Sequence, residues 1–146
     1  MTRINCIPPE QLCQQHLVAE YRELPRIFNQ VAAAVLRGES YNDVRNPSHY
    51  VLGKGHVRFF YPRLGYLAAR QISIVAEMKH RGITVNFTPP CRDDYASIPD
   101  KWFGEWVPDS TAIALNVARI TDRMPANPIY KGRNNTLVWD REDRPQ

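Results

Sequence analysis

Nothing in the 146 residues approaches the run of about 20 apolar side chains that a membrane-spanning helix requires. The first 20 residues also carry no apolar core of the kind a secretion signal needs. Cysteine is scarce: Cys6, Cys13 and Cys91, an odd number with no pair at metal-site spacing. That argues against a disulfide framework and for a reduced, cytoplasmic compartment. His16, His49, His56 and His80 are scattered, with no HExxH or related pattern, so neither a metal nor another cofactor is expected. Strand signals are weak and no internal repeat stands out, which argues against a β-rich or repeat architecture.

What is present fits one globular domain, with 43% hydrophobic and 23% charged residues in a chain long enough to bury a core. Twelve prolines predict long connecting loops. The net charge of +4 modestly favours a polyanionic partner.

Three helices follow from periodicity. Leu17, Tyr21, Leu24, Phe28, Val31 and Val35 recur at alternating spacings of four and three, one helical stripe that Gly38 should stop. Pro25 falls inside it, predicting a kink or a lost hydrogen bond. Gln15, Ala19, Arg22 and Arg26 collect on the opposite face, with Glu23 and His16 together at the border, where a carboxylate is partly desolvated yet reachable. A second helix should begin near Tyr61-Pro62 and end at Arg81-Gly82, with Leu64, Leu67, Ala68, Ile74, Val75 and Met78 inward. Gln71 interrupts that stripe; a buried, hydrogen-bonded amide is favoured over a ligand contact. A third helix should start at the N-cap Asp109, turn Ile113, Val117, Ile120 and Met124 inward and Arg119 and Arg123 outward, and end at Pro125. The connections 38–60 and 83–108 read as irregular loops, and residues 140–146 as a disordered tail to a domain spanning 1–139.

Two features carry chemistry. Arginine forks match phosphate oxygens and keep their charge. If Arg22, Arg26, Arg119 and Arg123 each neutralised one phosphate, log affinity would fall against log salt with a slope of roughly −3.6. The bland alternative is solvated surface arginine, with Arg26 paired to Glu23 three residues before it. The second feature is the N-terminus. Thr2 is small, so the initiator methionine should be removed, exposing an α-amine; with Met1 retained the amine sits on the wrong residue. With reference pKa values of about 7.7–8.0 for such an amine and about 10.4 for lysine, the terminus is several hundredfold richer in the neutral nucleophile at pH 7. It is suited to forming a Schiff base with a sugar aldehyde.

The run Gln15-His16-Leu17-Val18-Ala19-Glu20-Tyr21-Arg22-Glu23-Leu24-Pro25-Arg26 resembles the phage-type pyrimidine-dimer DNA glycosylase/abasic-site lyase family. So do Leu52-Gly53-Lys54-Gly55-His56-Val57-Arg58-Phe59-Phe60-Tyr61, Ile98-Pro99 and Gly104-Glu105-Trp106-Val107-Pro108, and the likeness extends from Met1 to about residue 124. Within that second block Gly53-Lys54-Gly55 is too short for a phosphate loop and lacks the Walker pattern; the block reads as a structural turn, with His56 a core or capping residue.

The resemblance implies that the Thr2 amine attacks C1′ of the damaged nucleotide, with Glu23 as the essential carboxylate. It also implies DNA contacts from Arg3, Arg22, Arg26, Arg119 and Arg123, the last a lysine in the best-known member. Gln15 and Gln71 match polar positions near the site. The family bends DNA, extrudes the base opposite the lesion and needs no metal. The tail departs from the pattern: the prototype has tryptophan-tyrosine-lysine-tyrosine-tyrosine-glycine where this chain has Ile129-Tyr130-Lys131-Gly132-Arg133. Tyr130 and Lys131 are the remaining candidates for base contact there, so abasic-site cleavage is a safer expectation than dimer specificity.

The expected fold is all-α, one domain of three main helices with long irregular loops and the N-terminal segment threaded between helices. The expected activity is glycosylase and lyase action by a monomer on double-stranded DNA bearing a lesion or abasic site, in the nucleoid or the cytoplasm of a host cell, with no membrane partner. The same core acting on an oxidised or ring-opened purine, and a noncatalytic DNA-binding helical protein, remain open alternatives.

Overall fold

The computed structural model describes residues 4–130. Thr2, Arg3, Lys131 and the tail 140–146 lie outside them. Among the described residues the fold is all-α: α1 (Gln14–Leu36), the single turn α2 (His56–Phe59), α3 (Leu64–His80) and α4 (Ser110–Asp122), with 3₁₀ turns at Pro9–Gln11, Arg92–Tyr95 and Asp100–Trp102. No strand forms among these residues; Arg63 and Phe103 make an isolated antiparallel bridge. None of their helices is long and apolar enough to cross a membrane.

The first helix follows its stripe closely. Leu17, Tyr21, Leu24, Phe28 and Val31 are buried, Val35 is half-buried, and Ile27 and Ala34 widen the buried face. Gly38 and Gly82, at φ +86° and +75°, follow the ends of α1 and α3 as expected, in a backbone region that other residues rarely adopt. The helix runs through Pro25 without interruption. Proline has no N–H to donate, so the Tyr21 carbonyl four residues earlier loses its helical partner. The Gln71 amide of α3 fills that role, donating to the Tyr21 carbonyl at 3.0 Å. Gln71 is fully buried, which fits the structural reading of this residue. Replacing it with leucine should cost about 1–3 kcal/mol, because a buried carbonyl is left unsatisfied. Chemical denaturation checks that expectation.

The second helix starts at Leu64, later than Tyr61-Pro62, because Pro62 and Arg63 are engaged by the 103–104 segment. Gly104 N–H donates to the Pro62 carbonyl, and the Gly104 carbonyl accepts from Tyr66 N–H in the first turn of α3, both at 3.1 Å. The third helix begins as expected, with the Asp109 carboxylate accepting from Ala112 N–H at 2.8 Å.

Its rotation differs from the expectation. Ala112, Asn116 and Ile120 face the core, Val117 is half-buried, and Ile113 is 40% exposed. At 100° per residue the helix is turned by roughly 70° from the face its apolar residues define. The cause is Asn116: its Oδ1 accepts from Cys6 N–H at 2.7 Å, and its Nδ2 donates to Asn5 Oδ1 at 2.8 Å. A doubly bonded buried amide outweighs the exposure of Ile113. Arg119 becomes half-buried, while Arg123, the C-cap just past the helix, stays exposed as expected.

Those bonds belong to a larger arrangement around the N-terminal segment. Ile4, Asn5, Cys6 and Ile7 are buried without regular secondary structure, so their backbone groups need partners elsewhere. Side chains supply them. Ile4 N–H donates to His56 Nε2, and the Ile4 carbonyl accepts from the Tyr50 hydroxyl. The Asn5 carbonyl accepts from Tyr66, and the Ile7 carbonyl from Arg70 Nη1 at 2.6 Å. All four helices contribute to the residues that bind the segment, α1 through Glu20, which accepts from Asn5 Nδ2 at 2.8 Å. The expected burial of His56 is met: its ring is 1% exposed.

Candidate active site

Glu20 and Arg70 form the electrostatic base of the region. Arg70 donates through Nε at 2.8 Å and Nη2 at 3.1 Å to the two carboxylate oxygens of Glu20. Burial alone would lower the Arg70 pKa, but the Glu20 carboxylate outweighs it and holds the group above its ordinary range. Burial pushes the nearby Cys6 thiol up to about 12 despite the Arg70 charge, and also raises Cys13. Both are therefore protonated at neutral pH and poorly suited as nucleophiles. All three cysteines are free thiols.

Above this base lies a cavity of about 400 Å³ lined by Asn5, His16, Glu20, Glu23, Arg119 and Arg123, with Ala19 and Ile120 as its apolar wall. The border pairing of His16 and Glu23 on α1 is thus seen in the structure, and the rotated α4 brings its two arginines to the same cavity. Arg26 Nη1 lies 3.1 Å from both carboxylate oxygens of Glu23, with the arginine side chain 65% and the glutamate 26% exposed. A pair this open contributes only about 0.2–1 kcal/mol, so it opens at little cost.

His16 Nε2–H donates to the Arg123 carbonyl at 3.1 Å, tying α1 to the end of α4. Its Nδ1 is buried and has no partner among the described residues. Burial lowers the His16 pKa, against a smaller opposing effect of the Arg123 carbonyl. A histidine held neutral in this way contributes stability that is complete above its ordinary pKa of about 6.5 and declines as pH falls below it.

Other candidates are placed differently. Arg22 borders a separate depression with Val18, Thr84 and Asn86. Gln15 clamps the chain after α4, donating to the Asn127 carbonyl and accepting from Ile129 N–H. Gln71 donates to the Tyr21 carbonyl, and Tyr130 is 4% exposed, packed against Cys13 and Met124. Tyr130 is drawn inward because Gln14 N–H and the Gln15 side chain both bind Ile129. Sequence reasoning missed Asn5, Glu20, Arg70 and Asn116. A weak signal existed: Glu20 and Asn116 are polar residues in helical positions whose neighbours one turn away are buried.

Among known protein families, the one described as pyrimidine dimer DNA glycosylase matches residues 1–93. The match includes α1, α2, α3 and the N-terminal segment; α4 lies beyond it.

Proposed function

We propose that this chain, which belongs to the pyrimidine dimer DNA glycosylase family, removes a damaged base from duplex DNA and then nicks the strand, with the α-amine of Thr2 as nucleophile and Glu23 as the catalytic carboxylate. The observation that carries this reading is the shared cavity. Asn5 lines it together with Glu23, and Asn5 stands three positions after Thr2 in the chain.

In the first step the neutral amine forms a bond to C1′ while the glycosidic bond breaks, the electron pair leaving with the base. The Glu23 carboxylate stabilises the positive charge on the sugar. Ring opening gives an imine between the amine and C1′. Loss of a C2′ proton, with Glu23 taking part in the transfer, then expels the 3′ phosphate by β-elimination. Arg26, Arg119 and Arg123 around the cavity, with Arg22 and Arg3, supply charge for the DNA backbone. The enzyme acts as a monomer on duplex DNA bearing a cyclobutane dimer or an abasic site.

Borohydride trapping with mass mapping tests the reading on two duplexes, one abasic and one with a thymine dimer. An adduct on Thr2 with both is the expected result. An adduct with abasic DNA alone would confine the activity to the lyase step, and none with Met-processed protein would sink the amine mechanism. Independently, Arg26→Ala should flatten the salt dependence of binding by about one unit of slope. An unchanged slope would mean that Arg26 touches no phosphate.

A further inference from the structure

The Ile4 peptide is gripped at both polar atoms. Its N–H donates to His56 Nε2 at 2.9 Å, and its carbonyl accepts from the Tyr50 hydroxyl at 3.1 Å. The His56 ring is oriented for this: Nδ1–H donates to the Val51 carbonyl at 2.8 Å, which leaves Nε2 as the acceptor. The Tyr50 ring is fixed in turn, stacked on Trp106 at 5.5 Å and edge-on to His56, Phe59 and Phe60. Neither side chain lines the Glu23 cavity.

We propose that Tyr50 and His56 are positioning residues for the reaction, fixing the Ile4 peptide so that the α-amine two residues earlier meets the cavity in a narrow range of orientations. This inference rests on the amine reading above. The physical reason is leverage. Two residues of chain extend about 7 Å, so a small tilt at Ile4 becomes a displacement of an ångström or more at the amine. Misplacement of about 1 Å in a reacting group can cost a hundredfold in rate. The deeper bonds from Tyr66, Asn116 and Arg70 hold Asn5 to Ile7 independently. Weakening the Ile4 grip therefore loosens the amine without undocking the segment.

Tyr50→Phe removes one hydroxyl and keeps the packed ring. Tyr61→Phe is its control: that buried hydroxyl donates to Gln30, not to the segment. The measurement is single-turnover borohydride trapping on an abasic duplex at saturating Met-processed protein, beside the Kd for a duplex with a tetrahydrofuran analogue. Tyr50→Phe should trap roughly tenfold more slowly, with Kd within about twofold of wild type. Tyr61→Phe should trap at the wild-type rate. A wild-type rate for Tyr50→Phe, or an equal loss for Tyr61→Phe, overturns the proposal while the amine reading stands. A wild-type adduct that maps away from residue 2 removes both, and the mass map separates that case from the others. His56→Gln, which keeps an acceptor near Nε2, should trap faster than His56→Leu; equal rates in the two folded variants would count against His56.

Discussion

Glu23→Gln is expected, on the mechanism proposed above, to lower strand cleavage at an abasic site by roughly a thousandfold or more, because that mechanism uses the carboxylate both to stabilise the sugar cation and to move protons. The substitution is nearly isosteric. The open Arg26 contact that it weakens is worth about 0.2–1 kcal/mol. Binding to an unreactive abasic analogue should be retained or tighten slightly, as one negative charge leaves a cavity bordered by Arg119 and Arg123. Single-turnover cleavage and a binding isotherm on the same preparation separate these effects. Substantial cleavage by the variant would remove Glu23 from the mechanism.

Glu20→Ala should act on the fold. It leaves the Arg70 guanidinium buried without its counter-charge, a change that typically costs about 3–5 kcal/mol. For a chain of this size that corresponds to a fall in Tm of about 6–20 °C. Replacing both members of a buried pair with apolar residues is often nearly neutral. Here Glu20→Met with Arg70→Met should recover only part of the loss, because the Asn5 amide and the Ile7 carbonyl each lose a partner as well. Thermal and urea unfolding of the single and double variants would check this. A loss below about 1 kcal/mol for Glu20→Ala would mean that water reaches the pair in solution.

The contrast between these two glutamates, three residues apart on one helix, shows what the sequence made legible. Amphipathic spacing revealed α1 and the border position of Glu23, because both are local properties of a 3.6-residue repeat. Pro25 announced a missing hydrogen bond. Its remedy, Gln71, was recognisable as a buried amide, though not as the partner of Tyr21. The Gly38 and Gly82 stops and the Asp109 cap were local too. Glu20 carried no such signal. Its burial depends on Arg70, 50 residues away, and on Asn5, which itself depends on Asn116, 111 residues further along. Apolar periodicity assigns a polar residue to solvent unless its distant partner is known. That is why the rotation of α4 was misjudged, and with it the route by which Arg119 and Arg123 reach the cavity.

Because residues Ile4 to Ile7 draw their hydrogen bonds from side chains of the surrounding helices, the stretch behaves like a built-in ligand of its own protein. Deleting it would strip Asn116, Arg70 and the Glu20 carboxylate of hydrogen-bond partners and open a cavity in the core, and the product is expected to be an unfolded chain in place of a silent enzyme. On the proposed mechanism, an inactive but folded control would come from blocking the terminal amine chemically or by a leading peptide. By the same reasoning, the segment supplied in trans as a short peptide should restore structure to a truncated chain before it restores any chemistry.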